Sequence, residues 1–338
     1  MRIGLIGLGR IGTYHAGNLI ALDEVEQLVV TDAVPAAVES AIERFGATAA
    51  DSVKSLLGAV DAVMITAPTS SHLGLIQQSV AAGLPTFCEK PVAEDPYAAS
   101  DLISWVEGSG VPVQVGFPRR FDPAFVAAKA ALESGALGFL TTVRSTTMDP
   151  APPPMAYIAG SGGIFRDCAI HDLDAVRWVT GREVVEVYAT GANKGDPEFT
   201  TLGDVDTASA LLTFDDGTLG VVSNTRYNGA GYDVRLELHG SAGSISAGLD
   251  QGLPMSSADP SVDFPTGPAH TFFMDRLTEA FRREVAVFLD VAAGRAPSPC
   301  AMADGLESSW IAEACARSLA EHRPVLVDEV RQRRASSP

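Results

Sequence analysis

Apolar positions along this chain fall in two different rhythms. Over the first 120 or so residues, short apolar runs occur at Arg2–Ile6, Gln27–Thr31, Ala62–Thr66, Thr86–Glu89 and Val113–Gly116. Between them, apolar residues recur at helical spacing over Ile11–Leu22, Val34–Phe45, Ser71–Ala82 and Asp95–Glu107. Runs of four or five residues without polar alternation suit strands buried on both faces. Regular exchange of strand and helix predicts βαβ units and a doubly wound parallel sheet.

After Pro123 the rhythm changes. The pattern predicts a helix over about Ala124–Ser134, ended by Gly135, then a strand around Leu140–Met148. Asp149-Pro150-Ala151-Pro152-Pro153-Pro154 reads as a stiff extended loop. A further helix is expected from about Cys168 to Thr180, stopped by Gly181. Strand-like runs follow without helices between them, at Val184–Thr190, Ala208–Phe214, Leu219–Thr225 and Val234–His239, with the turn signal Asp215-Asp216-Gly217 between two of them. Successive strands of this kind predict a mostly antiparallel sheet. Two long helices, Phe272–Ala293 and Met302–Ala320, close the pattern, and no internal repeat is visible. The expected division is therefore an α/β domain over residues 1–120 and an α+β domain over residues 121–338.

Composition agrees with this outline. A chain of 338 residues suggests two domains at roughly 150 residues each. With 46% hydrophobic and 20% charged residues it is ordinary for a globular protein, and long enough to need no disulfide or metal staple. The formal net charge of −18 argues against nucleic acid and anionic membranes as partners, since both demand clustered cations. The one basic run, Arg331 to Arg334, lies in a Ser- and Pro-ended tail and reads as a frayed terminus. Cys88, Cys168, Cys300 and Cys315 form no CxxC pair, which suggests neither zinc nor redox chemistry and suits a reducing cytoplasm. No run of 18 apolar residues suggests a membrane span, and the start of the chain reads as a first strand rather than a signal peptide.

Two stretches carry candidate chemistry. Gly7-Leu8-Gly9-Arg10-Ile11-Gly12 is a GxGxxG that follows a strand and opens a helix, the context a dinucleotide site requires. Gly7 allows the tight turn, Gly9 lets the backbone approach a pyrophosphate, and Gly12 packs helix on strand. The helix N-terminus, with Arg10 and Ile11, offers N–H groups and positive dipole to the phosphates. Asp32, 20 residues after Gly12, can accept from the adenine-ribose hydroxyls and would repel a 2′-phosphate. With Ala33 and Val34 beside it, the expectation is NAD rather than NADP, and Arg10 is the one cation that could counter it. The first domain thus reads as a Rossmann domain. Further on, Glu89-Lys90-Pro91 ends a strand, and ligands sit beyond such strand ends in doubly wound sheets. Asp167 and His171 are four apart and share one helix face, so an acid and an imidazole could serve one hydroxyl. A capping aspartate with a structural histidine is the competing reading. A metal site of His171, Asp172 and Asp174 is weaker, because adjacent helical positions diverge and no second histidine has ligand spacing.

Taken together, these residues resemble the glucose–fructose oxidoreductase / inositol dehydrogenase / MocA family over nearly the whole chain. Thr66-Ala67-Pro68-Thr69-Ser70-Ser71-His72 is similar to its loop after a central strand, and Val115–Asp122 to its junction between domains. Asp149–Pro154, Gly162–Asp174 and Gly231-Tyr232-Asp233 are most similar to its inositol dehydrogenases. The resemblance implies a Rossmann domain followed by an open, mostly antiparallel sheet, through which members associate as homo-oligomers, dimers or tetramers. It implies that Lys90 contacts substrate and nicotinamide ribose and precedes a cis peptide. Thr66, Ala67, Pro68, His72 and Glu89 would line the cofactor. Asp167 and His171 would be the polar pair at the substrate, with Arg120 and Tyr232 as candidate contacts, although Tyr232 serves equally well as a packing residue. Met148, Pro118 and Ala230 depart from the pattern and loosen the choice of inositol over a related sugar.

The chemistry so implied is oxidation of a secondary ring alcohol: His171 takes the hydroxyl proton, Asp167 orients it, and Lys90 hydrogen-bonds the same oxygen. Two other classes remain open: a non-catalytic NAD or sugar sensor, and another sugar reaction on the same scaffold with tightly held cofactor. His15 reads as solvated or helix-packed, Trp105, Trp178 and Trp310 as packing residues, and Phe272 and Phe273 as core packing, with reach into a partner subunit's site as their alternative.

Overall fold

The computed structural model describes residues 1–332; Arg333 and Arg334 of the basic run lie outside the described residues. By contacts the chain divides into two compact units, one made of residues 1–118 and 279–306, the other of residues 119–278 and the rest. A division of the sequence at residue 120 alone does not capture the return of residues 279–306 to the first unit.

The first unit holds six strands: β1 (Arg2–Ile6), β2 (Gln27–Thr31), β3 (Thr48–Ala49), β4 (Ala62–Ile65), β5 (Thr86–Glu89) and β6 (Val113–Gly116). They run parallel in the order β3-β2-β1-β4-β5-β6. The order reverses between β1 and β4, and a crevice opens beyond the carboxyl ends of strands at such a point. All of β4 and β5 is buried, as an unalternated apolar run requires. Ile3, Leu5, Val30, Met64 and Phe87 form the core with Leu19 of the helix Arg10–Ile20. Val285, Phe288 and Leu289 of the helix Thr278–Ala292 complete that same cluster, which is why the segment returns here.

The second unit is built on seven strands: β7 (Leu140–Met148), β8 (Val184–Ala192), β9 (Thr207–Phe214), β10 (Leu219–Thr225), β11 (Asp233–Gly240), β12 (Ser244–Ala247) and β13 (Val325–Leu326). Their order is β12-β11-β7-β10-β9-β8-β13, antiparallel except for the parallel pair β7/β10. Burial alternates along β9 and β10, so one face is covered while Leu211 and Leu219 on the other stay exposed. The helix Ile170–Thr180 lies against β7 and β10 on the covered face.

A fully buried carboxylate fixes that helix. Asp172 accepts from Arg119 Nη1 (2.6 Å), Ser145 Oγ (2.5 Å), Thr147 Oγ1 (2.8 Å) and Asn224 Nδ2 (2.7 Å). Arg119, itself 1% exposed, spends its other arm on Thr147 (2.5 Å). A buried charge is tolerated only when paired and hydrogen-bonded, and here each oxygen has two donors.

The single long helix expected over Phe272–Ala293 is in fact two, Phe273–Arg276 and Thr278–Ala292. The Thr278 hydroxyl donates to the Met274 carbonyl (2.6 Å), a bond that competes with the helical ladder. The break coincides with the boundary between the units. Trp105 is 43% exposed, so it packs only in part, whereas Trp310 is buried. Arg331 is the last residue of the helix Val327–Arg331 and pairs with Asp328 and Glu307, so the basic run begins inside ordered structure.

Asp172→Ala should cost about 3–5 kcal/mol, because it strands the Arg119 guanidinium without its counter-ion. Urea unfolding checks this, with the exposed Val262→Ala as a control expected to stay within about 0.5 kcal/mol.

Candidate active site

In the first unit, the loop after β1 is shaped by backbone contact. Gly7 has φ +96°, and a Cβ there would lie 2.6 Å from the Ala67 nitrogen. A Cβ on Gly12 would lie 2.1 Å from the Gly7 carbonyl oxygen, whereas Gly9 faces open space. The helix Arg10–Ile20 starts after Gly9 with no side chain capping it and no acid in its first turn. The first N–H groups of a helix have no acceptor within it, so this end suits an anion. Asp32 braces the loop: one carboxylate oxygen accepts from Leu8 N (2.6 Å), the other from Val34 N (2.7 Å). Each oxygen keeps acceptor capacity for a ribose hydroxyl. An open glycine, an uncapped helix end and a fixed acid fit a dinucleotide.

Thr66 and Ala67 belong to the same cradle. Thr66 N donates to the Ile6 carbonyl (2.9 Å) and its hydroxyl to that of Gly7 (2.6 Å). His72 is buried, with Nε2 at 2.8 Å from the Ala67 oxygen and Nδ1 at 2.8 Å from the Pro91 oxygen. It therefore bridges the loop after β4 to the turn after β5 instead of presenting its ring outward. Glu89 is also turned inward: His15 Nε2 lies 2.8 Å from one oxygen, and Lys90 N donates to the other (3.2 Å). Lys90 itself is half-buried, and its peptide to Pro91 is cis, as the resemblance implies. His15 was passed over in the sequence as packing or solvated. It is fully buried, edge-on to Phe87 and Phe281, and backs the lysine turn through Glu89.

In the second unit, Asp167 sits on a wide helical turn, Phe165–Ala169, which leads directly into the helix Ile170–Thr180 carrying His171. Turns of this π type cluster at functional sites, and their wider pitch still leaves residues four apart on one face. Gly162 and Gly163, both with positive φ, feed the chain into that turn, and Asp204 accepts from Ile164 N (3.0 Å) at its start. The Asp167 carboxylate is held from two sides, by the Tyr157 hydroxyl (2.8 Å) and by Arg226 Nη2 (2.7 Å). Arg226 Nη1 reaches Asp149 (3.0 Å). Burial opposes the charge on Arg226, but the neighbouring carboxylates outweigh it and hold its pKa above the ordinary value. Burial likewise pushes the adjacent Cys168 thiol up, so it stays protonated.

Two residues expected near substrate have other partners. Arg120 is buried and makes a two-point pair with Asp174, from Nε (2.9 Å) and Nη2 (2.6 Å). Tyr232 is 5% exposed, lies edge-on to Phe273, and has its hydroxyl pKa raised by burial. Arg226, Tyr157 and His15 are the site-supporting residues that the sequence alone did not reveal. Among the described residues, no three His, Cys, Asp or Glu side chains gather as a metal site.

Comparison with known proteins settles the family. Residues 1–117 match the model for the oxidoreductase family with an NAD-binding Rossmann fold, and residues 125–246 match the GFO/IDH/MocA C-terminal domain. The chain belongs to the Gfo/Idh/MocA oxidoreductase family. An inositol 2-dehydrogenase of Rhizobium meliloti is 37% identical, covering 97% of this chain and 99% of its own. A myo-inositol dehydrogenase of Streptomyces leeuwenhoekii is 41% identical, with coverages of 89% and 91%. A scyllo-inositol dehydrogenase from Lactobacillus casei, solved with NAD(H) and scyllo-inositol, superimposes with a TM-score of 0.88 at 28% identity, covering 97% of this chain and 99% of its own. As a Gfo/Idh/MocA member the chain is an NAD-dependent oxidoreductase with an NAD-binding Rossmann domain.

Gly12→Ala should cost about 1–3 kcal/mol by overpacking and weaken NAD binding, since the new methyl meets a backbone carbonyl that cannot move away freely. Titration of NAD by fluorescence, alongside a thermal melt, measures both effects.

Proposed function

We propose that this chain oxidises a secondary ring hydroxyl of a cyclitol, with myo-inositol to 2-keto-myo-inositol as the favoured reaction. The observation that carries the reading is near full-length similarity to inositol dehydrogenases in a chain that carries Lys90, Asp167 and His171. NAD, when bound, supplies the hydride acceptor. His171 accepts the hydroxyl proton. Asp167, fixed by Arg226 and Tyr157, supports the imidazolium that results. Lys90 hydrogen-bonds the reacting oxygen and favours its developing negative charge. The cofactor set is the glycine loop and Asp32, with Thr66, Ala67 and Pro68 beside it. Arg120, which also pairs with Asp174, and Tyr232, which lies edge-on to Phe273, are the further candidate substrate contacts.

A second reading, oxidation of scyllo-inositol, is favoured by the fold match to the enzyme solved with that isomer. We also propose association through the open face of the second sheet, where Tyr188, Leu211 and Leu219 are exposed, and a reducing cytoplasmic location, consistent with four free, buried cysteines. No helix among the described residues is long and apolar enough to cross a membrane.

NAD reduction against myo-, scyllo- and chiro-inositol and common aldoses tests the reading; a protein that binds NAD but reduces none of it with any polyol would be a sensor instead. His171→Ala should lower turnover about 10²–10⁴-fold with NAD affinity intact. Near-wild-type turnover in that variant would remove the assigned base. Asp32→Ala should raise the ratio of NADP to NAD use, read from kcat/KM with each cofactor.

A further inference from the structure

We propose that His15 is a positioning residue for this reaction: through Glu89 it ties the helix Arg10–Ile20, which opens at the glycine loop, to the main chain of Lys90. The inference rests on the assignment of Lys90 to the reacting oxygen above. All of its parts lie in the first unit. His15 Nε2 lies 2.8 Å from one Glu89 oxygen, and Lys90 N donates to the other at 3.2 Å. A carboxylate only accepts, so Nε2 is the donor. His15 Nδ1 is buried with no hydrogen-bond partner among the described residues, so Nε2 alone carries the ring's hydrogen bond.

The pair is caged in a way that lets it act as a strut. Phe87 and Glu89 are two apart on β5 and share one face. The register partner of Glu89 on β6 is Gly116, where a Cβ would lie 2.8 Å from the Phe87 ring and 3.2 Å from the Glu89 carboxyl. The absent side chain is the space the acid occupies. His15 is fully buried and stands edge-on to Phe87 (5.5 Å) and to Phe281 (5.7 Å). Edge-to-face packing fixes where the imidazole sits, and the imidazole fixes one carboxylate oxygen. The other oxygen then sets Lys90 N where the chain leaves β5. A side chain is aimed by its own backbone, and a misplacement of about 1 Å can cost about 10²-fold in rate. A histidine used only to fill space could be exchanged for any side chain that fits; one used as a strut needs a donor at the same reach.

The experiment compares His15→Gln, His15→Asn and His15→Phe with the wild type. The Gln amide nitrogen reaches to where Nε2 lies, Asn falls one carbon short, and Phe fills the space without a donor. Turnover with NAD and myo-inositol is divided by the number of NAD sites titrated by fluorescence. Amide hydrogen exchange of the peptide carrying Lys90 is followed by mass spectrometry without substrate. His15→Phe and His15→Asn should lower kcat per site about 10–100-fold, keep the Kd for NAD within about twofold, and speed exchange at Lys90 about tenfold. His15→Gln should hold kcat per site within about threefold of wild type and keep exchange slow, because its amide offers the same donor. Equal kcat per site and equal exchange in all three variants, whatever their melting temperatures, would show a packing histidine and overturn the proposal. If His15→Phe does not fold, His15→Gln against His15→Asn decides, since the two differ by one methylene. Wild-type protein inactive on the whole polyol panel would instead remove the dehydrogenase reading, and the exchange measurement would still decide whether His15 holds the Lys90 main chain.

Discussion

The second unit depends on one buried anion. Asp172 accepts four hydrogen bonds from β7, β10 and the segment carrying Arg119, and so fixes both the height and the rotation of the helix Ile170–Thr180 on the sheet. A purely apolar seat would have held the helix with more tolerance, because hydrophobic burial has no direction. Ion pairs and hydrogen bonds do. Since His171 precedes Asp172 directly and Asp167 lies on the turn before it, the orientation of both polar groups is inherited from that anchor.

The two units solve the problem of holding polar groups in place differently. The loop after β1, our proposed dinucleotide cradle, is made of backbone: glycines at close approach, an uncapped helix end, and an aspartate whose oxygens are gripped by main-chain N–H groups. The wide turn of the second unit is held by side chains in buried ionic contacts, Arg226 with Asp149 and Asp167, and Arg120 with Asp174. Backbone cradles keep their shape through changes of neighbouring side chains. Buried ion networks fail together when one member is lost.

This contrast explains what could be read from the sequence. The glycine loop, Asp32 and the strand–helix alternation are local requirements, so spacing in the chain reveals them. The mostly antiparallel sheet was visible too, because its strand-like runs follow one another without helices between them. Arg226 and Tyr157 carry no such local mark: each matters through a partner 59 or 10 residues away, and only the sheet register brings the first to Asp167. His15 packs in the core as one of its two expected roles allowed, but a lone histidine on a helix gives no hint of an acid 74 residues later. Arg120, a candidate contact by family likeness, pairs with Asp174, a partner 54 residues away that spacing does not reveal. The two-residue strands β3 and β13 are too short to show a period, and the break at Leu277 carries no Gly or Pro signal.

The parallel pairing of β7 with β10 has a consequence for how such a protein can change over time. Met148 and Thr225 are register partners, so the residues that follow them, Asp149 and Arg226, emerge side by side at the same end of the sheet. A one-residue insertion or deletion in either strand would turn every later side chain to the opposite face and pull the arginine away from its acids. Length variation is therefore confined to the far end of these strands, where the Asp215-Asp216-Gly217 hairpin can grow or shrink freely. Lineages diverging from this scaffold would be expected to diversify their outlines there while keeping these two strand lengths invariant.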